Sequence, residues 1–175
     1  MGYTLSTKSF NNMSRLHPAL LHVVQLAITL TTQDFGVVDQ STRTAEEQNA
    51  LYKAGKSQKD GYKNKSNHQT ASDGYGHAVD LTAYVAGKGF DFNDWNLYYP
   101  IALAMGKAAV KLNTRVKWGG NWYEVLNDYV TVSNVTTSNV TTSSDDQTMR
   151  DAVERYKKNH PGNDFLDGPH FELVV

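Results

Sequence analysis

Pro169-His170-Phe171-Glu172-Leu173-Val174-Val175 closes the chain as a β-strand entered through a proline. A second apolar run, Ala78 to Val85, returns to a strand pattern after a long Lys-, Ser-, Asn- and Gly-rich loop from Gly55 to Tyr75. Phe35-Gly36-Val37-Val38 is a shorter strand candidate, and Val116 to Val132 mixes Trp, Tyr and Gly in the manner of strands and a turn. Helical spacing dominates the earlier chain. Leu16, Leu20, Val23, Val24, Ala27 and Leu30 recur on one face of Met13 to Thr31, with Pro18 suited to a first turn. Thr42 to Ala54 reads as a second helix, because Thr44 and Glu47 have capping-box spacing and Gly55 follows. Asn93 to Lys111 reads as a third, interrupted near Pro100, while the first twelve residues look polar and turn-like. Helices come early and strands late, so the expected class is α+β rather than repeated βαβ units.

The chain has 175 residues, enough for one domain, and we expect a single domain over 1–175. An insertion is expected at about 125–162. It contains the tandem repeat Ser133-Asn134-Val135-Thr136-Thr137 and Ser138-Asn139-Val140-Thr141-Thr142, read as a surface excursion. Asp145 to His160 follows as an amphipathic helix using Met149, Val153 and Tyr156, closed by Pro161-Gly162.

Hydrophobic residues make up 39% and charged residues 20%, the balance of a globular chain. Seventeen Lys plus Arg against eighteen Asp plus Glu give a net charge of −1. That excludes a broad basic field, and with it nucleic acid or anionic lipid as the main partner. The absence of Cys excludes disulfides, Cys-ligated zinc and iron–sulfur clusters, so any metal must be held by His, Asp or Glu. Ala19 to Leu30 is too short and too polar to span a membrane, so no membrane insertion is expected. The N-terminus lacks a charged, apolar, small-residue leader pattern, so no export signal is expected either.

Six histidines exist: His17, His22, His68, His77, His160 and His170. His68 lies in the polar loop ahead of Asp80, and His170 stands just after Asp167 at the entrance of the last strand. Two His and one carboxylate from separate elements match a catalytic zinc site with a fourth position open. His77 is the rival ligand. In an extended Gly76 to Leu81, however, positions three apart face opposite sides, which separates His77 from Asp80 and favours His68. His160 is read as a surface residue; His17 and His22 belong to the first helix.

Ser66-Asn67-His68, Gly76-His77-Ala78-Val79-Asp80 and Asp167-Gly168-Pro169-His170-Phe171-Glu172 together resemble the D-Ala-D-Ala carboxypeptidase and dipeptidase zinc peptidases. More narrowly, they resemble the phage L-alanyl-D-glutamate endopeptidases, which act as endolysins. His17-Pro18, Arg43-Thr44-Ala45-Glu46-Glu47-Gln48, Gly55-Lys56-Ser57 and Trp118-Gly119-Gly120-Asn121-Trp122 extend the likeness in order from about Leu16 to Leu173.

The resemblance implies a small α+β domain with a central antiparallel sheet, helices packed on one side and Zn2+ in a surface cleft. It implies His68, Asp80 and His170 as zinc ligands, Asp167 as general base, and Arg43 as the group that stabilises the charged tetrahedral species. Ser66 is implied more weakly as a substrate contact. The bland alternatives are a surface Arg43, a turn-forming Asp167 and a solvent-facing Glu172. Two departures stand out. His68 lies further before Asp80 than the family pattern usually has it, with the extra residues among Ala71-Ser72-Asp73-Gly74-Tyr75, where Asp73 is a further possible ligand. The other departure is the insertion.

The expected activity is a zinc peptidoglycan endopeptidase, an endolysin cleaving the stem peptide at the L-Ala-D-Glu bond for host lysis. Its partner would be the stem peptide, and it would act as a monomer, held in the host cytoplasm until it is released onto the wall. The alternatives are a D-Ala-D-Ala carboxypeptidase or dipeptidase, and a non-catalytic zinc-binding wall or partner module.

Overall fold

A computed structural model describes residues 2–132, 145–160, 162 and 165–174. The repeat Ser133 to Thr142 and Pro161 lie outside the described residues.

Six helices and seven strands are described: α1 (Thr7–Asn12), α2 (Pro18–Leu30), β1 (Phe35–Gly36), α3 (Ala45–Lys53), β2 (Ala78–Asp80), β3 (Thr82–Val85), β4 (Gly89–Asp91), α4 (Trp95–Lys111), β5 (Val116–Trp118), β6 (Asn121–Val125), α5 (Leu126–Tyr129), α6 (Asp146–Asn159) and β7 (His170–Leu173). Local chemistry explains several boundaries. Pro18 is the first residue of α2, where no N–H is needed, and the His17 ring accepts from the Ala19 N–H as N-cap. Thr44 and Glu47 close a reciprocal capping box at α3. Asp145 caps α6 by accepting from Gln147 and Thr148.

Three expectations change. The polar start of the chain holds α1, whose Ser6 side chain accepts from the Ser9 N–H. Pro100 does not interrupt α4. The burial of Tyr98, Ile101, Ala102 and Met105 on the same helix outweighs one missing hydrogen bond. The Ala78–Val85 run is two strands, and where one central sheet was expected the described strands form two. One sheet has the order β1-β3-β4, the other β2-β7-β5-β6, and every pairing is antiparallel. The chain changes sheets at Leu81, which is fully buried and donates its N–H to the Pro169 carbonyl.

The result is a small mixed α/β domain. α2 packs on α4, and α4 reaches β3 of one sheet and β5 of the other. Leu20, Val23, Val24, Ile101, Met105, Trp118 and Phe171 share this core. Part of the segment expected to be an insertion joins it: α6 packs on α4 and β6, with Met149 and Val153 buried. Arg155 forks onto Glu124 of β6 through Nε and a terminal nitrogen, the shortest contact being 2.7 Å. No helix among the described residues is long and apolar enough to cross a membrane.

Candidate metal centre

In the β2–β7 ladder Asp80 stands directly opposite His170. Cross-strand partners project to the same face, so the register alone puts a carboxylate beside an imidazole. His68 comes from the loop before β2 and is held by its backbone, since its carbonyl accepts from the Arg43 N–H at 2.9 Å. The three side chains meet tightly. His68 Nε2 lies 3.2 Å from His170 Nδ1 and 3.3 Å from Asp80 Oδ1, and His170 Nδ1 lies 3.2 Å from the same oxygen.

These nearly equal edges test the site for a cation. A tetrahedral ion with ligand bonds of about 2.0–2.1 Å separates its donors by about 3.3 Å. The rings are also correctly presented. His68 Nδ1 is 2.9 Å from the Ser41 carbonyl, so it carries the proton and Nε2 offers a lone pair. His170 is turned the other way: Nε2 donates to Glu172 Oε2 at 3.2 Å, which turns Nδ1 toward Asp80 and His68 as the atom a cation would take in exchange for its proton. Glu172 is itself fixed by the Asn67 side-chain amide at 2.8 Å. Carboxylate or carbonyl support behind each ligating imidazole is the usual outer shell of a metal site. Glu172 and Ser41 are supports to the trio that the sequence analysis did not mark. Ser41 stands 27 positions from His68 and Asn67 stands 105 from Glu172, whereas Glu172 is two from His170, a spacing that puts both on one face of β7.

Electrostatics agree with the geometry. Burial acts against the Asp80 carboxylate, but His68 and His170 outweigh it and hold its pKa well below the ordinary value. Burial also disfavours a charged His170, yet the hydrogen bonds its ring donates to Asp80 and Glu172 raise its pKa to about 9. Asp167 goes the other way: burial, then the Asp80 charge, push its carboxyl up, against the pull of His170, His68 and Arg43. Its loop is fixed by paired backbone contacts, Asp167 N–H to the Gly119 carbonyl at 3.0 Å and Gly119 N–H to the His170 carbonyl at 2.9 Å. Gly119 must be glycine here, because a Cβ would run into the Asp167 carbonyl. Arg43 places a terminal nitrogen 2.6 Å from Asp80 Oδ2, the oxygen turned away from the histidines. Arg43 itself lines the cleft.

All five sequence-derived site residues line one open cleft of about 710 Å³, with Ser66 on its edge and Trp122 against the His170 ring at 5.1 Å. His77 lies elsewhere. It meets Asp73 at 2.8 Å, with His17 Nε2 at 3.8 Å from the same carboxylate oxygen. Both trios offer potential metal donors among the described residues. The second is built differently: His17 Nδ1 accepts the N-cap hydrogen bond, so its Nε2 carries the proton and presents no lone pair. It is a clasp in which Asp73 hydrogen-bonds His77, with the His17 ring packed edge-on against His77 at the head of α2. The extra residues close on themselves, Ala71 N–H to the Tyr75 carbonyl at 2.9 Å, so the longer loop leaves His68 next to Asp80. His160 packs on Tyr156 and contacts the Tyr123 hydroxyl at 2.7 Å, away from the trio.

The model of a family described as phage L-alanyl-D-glutamate peptidase matches residues 1–138. The L-alanyl-D-glutamate peptidase of Escherichia phage T5 is 25% identical over 122 residues, 70% of this chain and 83% of that protein. The crystal structure of the Serratia marcescens L-Ala D-Glu endopeptidase ChiX matches with a TM-score of 0.63 and 26% identity, covering 98% of this chain and 90% of that one.

Proposed function

Because the chain belongs to the phage L-alanyl-D-glutamate peptidase family, we propose that it is a zinc-dependent endolysin that cuts the peptidoglycan stem peptide between L-Ala and D-Glu. It is a peptidoglycan hydrolase of the peptidase kind, not a glycosidase. The observation that carries the zinc reading is the His68–Asp80–His170 triangle, with edges of 3.2, 3.2 and 3.3 Å and each ring's far nitrogen hydrogen-bonded to Ser41 or Glu172. His68, Asp80 and His170 would hold the zinc, which would supply Lewis acidity and a water of pKa about 7.

The remaining work falls to the chain's own groups. Asp167, whose raised pKa brings it towards the working range of a base, takes the proton of the attacking water and returns it to the departing amine. Arg43 directs a permanent positive charge at the oxygen on which negative charge develops, while its contact to Asp80 fixes its aim. Trp122 and Phe165, stacked at 6.0 Å, form an apolar wall that narrows the cleft beside His170. We place the protein in the host cytoplasm until lysis, after which it reaches the wall.

Digestion of purified peptidoglycan tests this reading. The expected products carry new amino groups, with D-Glu as the new N-terminus and no new reducing sugar ends. A strong chelator should stop the reaction and added zinc should restore it. New reducing ends, or cleavage that persists after verified zinc removal, would overturn it.

A further inference from the structure

The Gly55–Ser66 loop has the composition of a solvated linker and gives no residue to the hydrophobic core. It is nevertheless pinned along its length. Gln48 of α3, fully buried, donates to Ser57 Oγ at 2.7 Å and to the Lys59 carbonyl at 3.0 Å. Asn49 donates to the Asp60 carbonyl at 2.8 Å, and Asp60 Oδ1 accepts from the N–H groups of Tyr62 and Asn64. Buried Gln69 donates to the Gly61 carbonyl at 2.8 Å and accepts from the Ser66 N–H at 2.9 Å. Gly61, at φ +83°, lies so close to α3 that a Cβ would sit 2.6 Å from the Ala45 carbonyl.

Ordering such a segment is entropically unfavourable, and no apolar burial offsets it. What the order produces is one wall of the metal cleft, from which Lys56, Lys59 and Lys65 face the cavity. All three are exposed. None has a carboxylate within 4.0 Å in the ion pairs among the described residues. At the metal end of the same cleft Asp80, Asp167 and Glu172 stand with Arg43, whose charge is already paired to Asp80 at 2.6 Å, so the lysines are the cleft's cations with no carboxylate partner among the described residues.

We propose that the Lys56–Lys59–Lys65 wall is a carboxylate subsite, which makes the enzyme prefer stem peptides whose D-Glu α-carboxyl is free over those in which it is amidated. This rests on the stem-peptide reading above. In that peptide D-Glu continues through its γ-carboxyl, so its α-carboxyl lies next to the scissile amide and is the group that amidation neutralises. Flexible ammonium groups on a pinned backbone suit an anion in a wet rim, where a point charge rather than a rigid fork is needed. The apolar Trp122–Phe165 wall offers the peptide no charge of its own.

The test compares zinc-loaded full-length protein on two synthetic peptides, L-Ala-γ-D-Glu-L-Lys-D-Ala and its α-amidated counterpart. At low salt the acidic peptide should have a kcat/KM about tenfold higher, shrinking as salt screens the exposed lysines. The triple variant Lys56→Gln, Lys59→Gln, Lys65→Gln should raise KM for the acidic peptide by about tenfold, with kcat within about twofold, so that the preference disappears. Equal kcat/KM for both peptides in the wild type, or an intact preference in a triple variant of normal thermal midpoint, overturns the proposal. Should the triple variant unfold early, the three single substitutions give the same readout. If the wild type cleaves neither peptide, the stem-peptide reading itself falls and takes the subsite with it.

Discussion

Replacing Glu172 by alanine removes the acceptor of the His170 Nε2 proton at 3.2 Å and the partner of Asn67 at 2.8 Å, while leaving all three inner donors in place. The contact is charge-assisted. Burial works against the Glu172 carboxylate, but His170 and Asn67 hold its pKa below the usual value. Loss of a carboxylate behind a ligating histidine lowers metal affinity by about 10- to 100-fold, equivalent to about 1.4–2.7 kcal/mol. Glu172→Gln keeps a neutral acceptor. Charged hydrogen bonds are about twice as strong as neutral ones, so roughly half that free energy, about 3- to 10-fold, should be lost. Competition against a chromophoric chelator at fixed pH gives the affinities, and the thermal midpoint of the metal-free proteins checks the fold. At saturating zinc, Glu172→Ala should retain most of its turnover. Wild-type zinc affinity in Glu172→Ala would refute the positioning role, and a fall in zinc-saturated kcat of about 10² or more would make Glu172 the base instead.

Zinc should be lost from His68→Ala, Asp80→Ala and His170→Ala but retained by His77→Ala, as metal analysis of the four purified variants can decide. Because His170 without metal has a pKa raised to about 9, zinc must displace its proton, so apparent affinity should climb about tenfold per pH unit up to that range. A raised imidazole pKa stabilises the metal-free fold fully below the unfolded value of about 6.5, and this contribution is lost as pH rises through about 9; thermal melts across that window read it. Asp167→Asn should lower turnover by about 10² to 10⁴ with zinc retained. In this variant stability moves the other way from turnover, while the pH trend has the same sign as for His170. A carboxyl whose folded pKa is raised destabilises the metal-free protein as pH rises through that pKa, so the Asn variant should melt higher at neutral pH. Gly119→Ala should displace the Asp167 loop and cut kcat by about tenfold or more while zinc stays bound, a split that metal analysis and steady-state kinetics separate.

Local chemistry was legible wherever neighbours in sequence are neighbours in space. The Thr44–Glu47 capping box, Pro18 at the head of α2 and the apolar stripe of α6 each act within one or two helical turns. The residues of the metal trio were legible as residue types with spacing. Misreadings came where tertiary contacts override local preference. α4 runs through Pro100 because its buried face packs on α2, and α1 forms from a polar segment capped by Ser6. The division of Ala78–Val85 between two sheets could not be read from periodicity, since burial along neither strand alternates.

By itself the sequence determined the donor types, the absence of thiolate ligands, the capped helices and the closing strand. Only the tertiary structure decided that Asp80 stands opposite His170, that His68 reaches them across an enlarged but self-closed loop, and that His77 is held by Asp73 instead. It also decided the support: Ser41 behind His68, Glu172 and Asn67 behind His170, and Gly119 under Asp167. The reason is physical. Residue type fixes what an atom can donate or accept, but a metal site requires several such atoms within about 3.3 Å of one another. Strand register and loop closure set those separations, and both are properties of the folded chain as a whole.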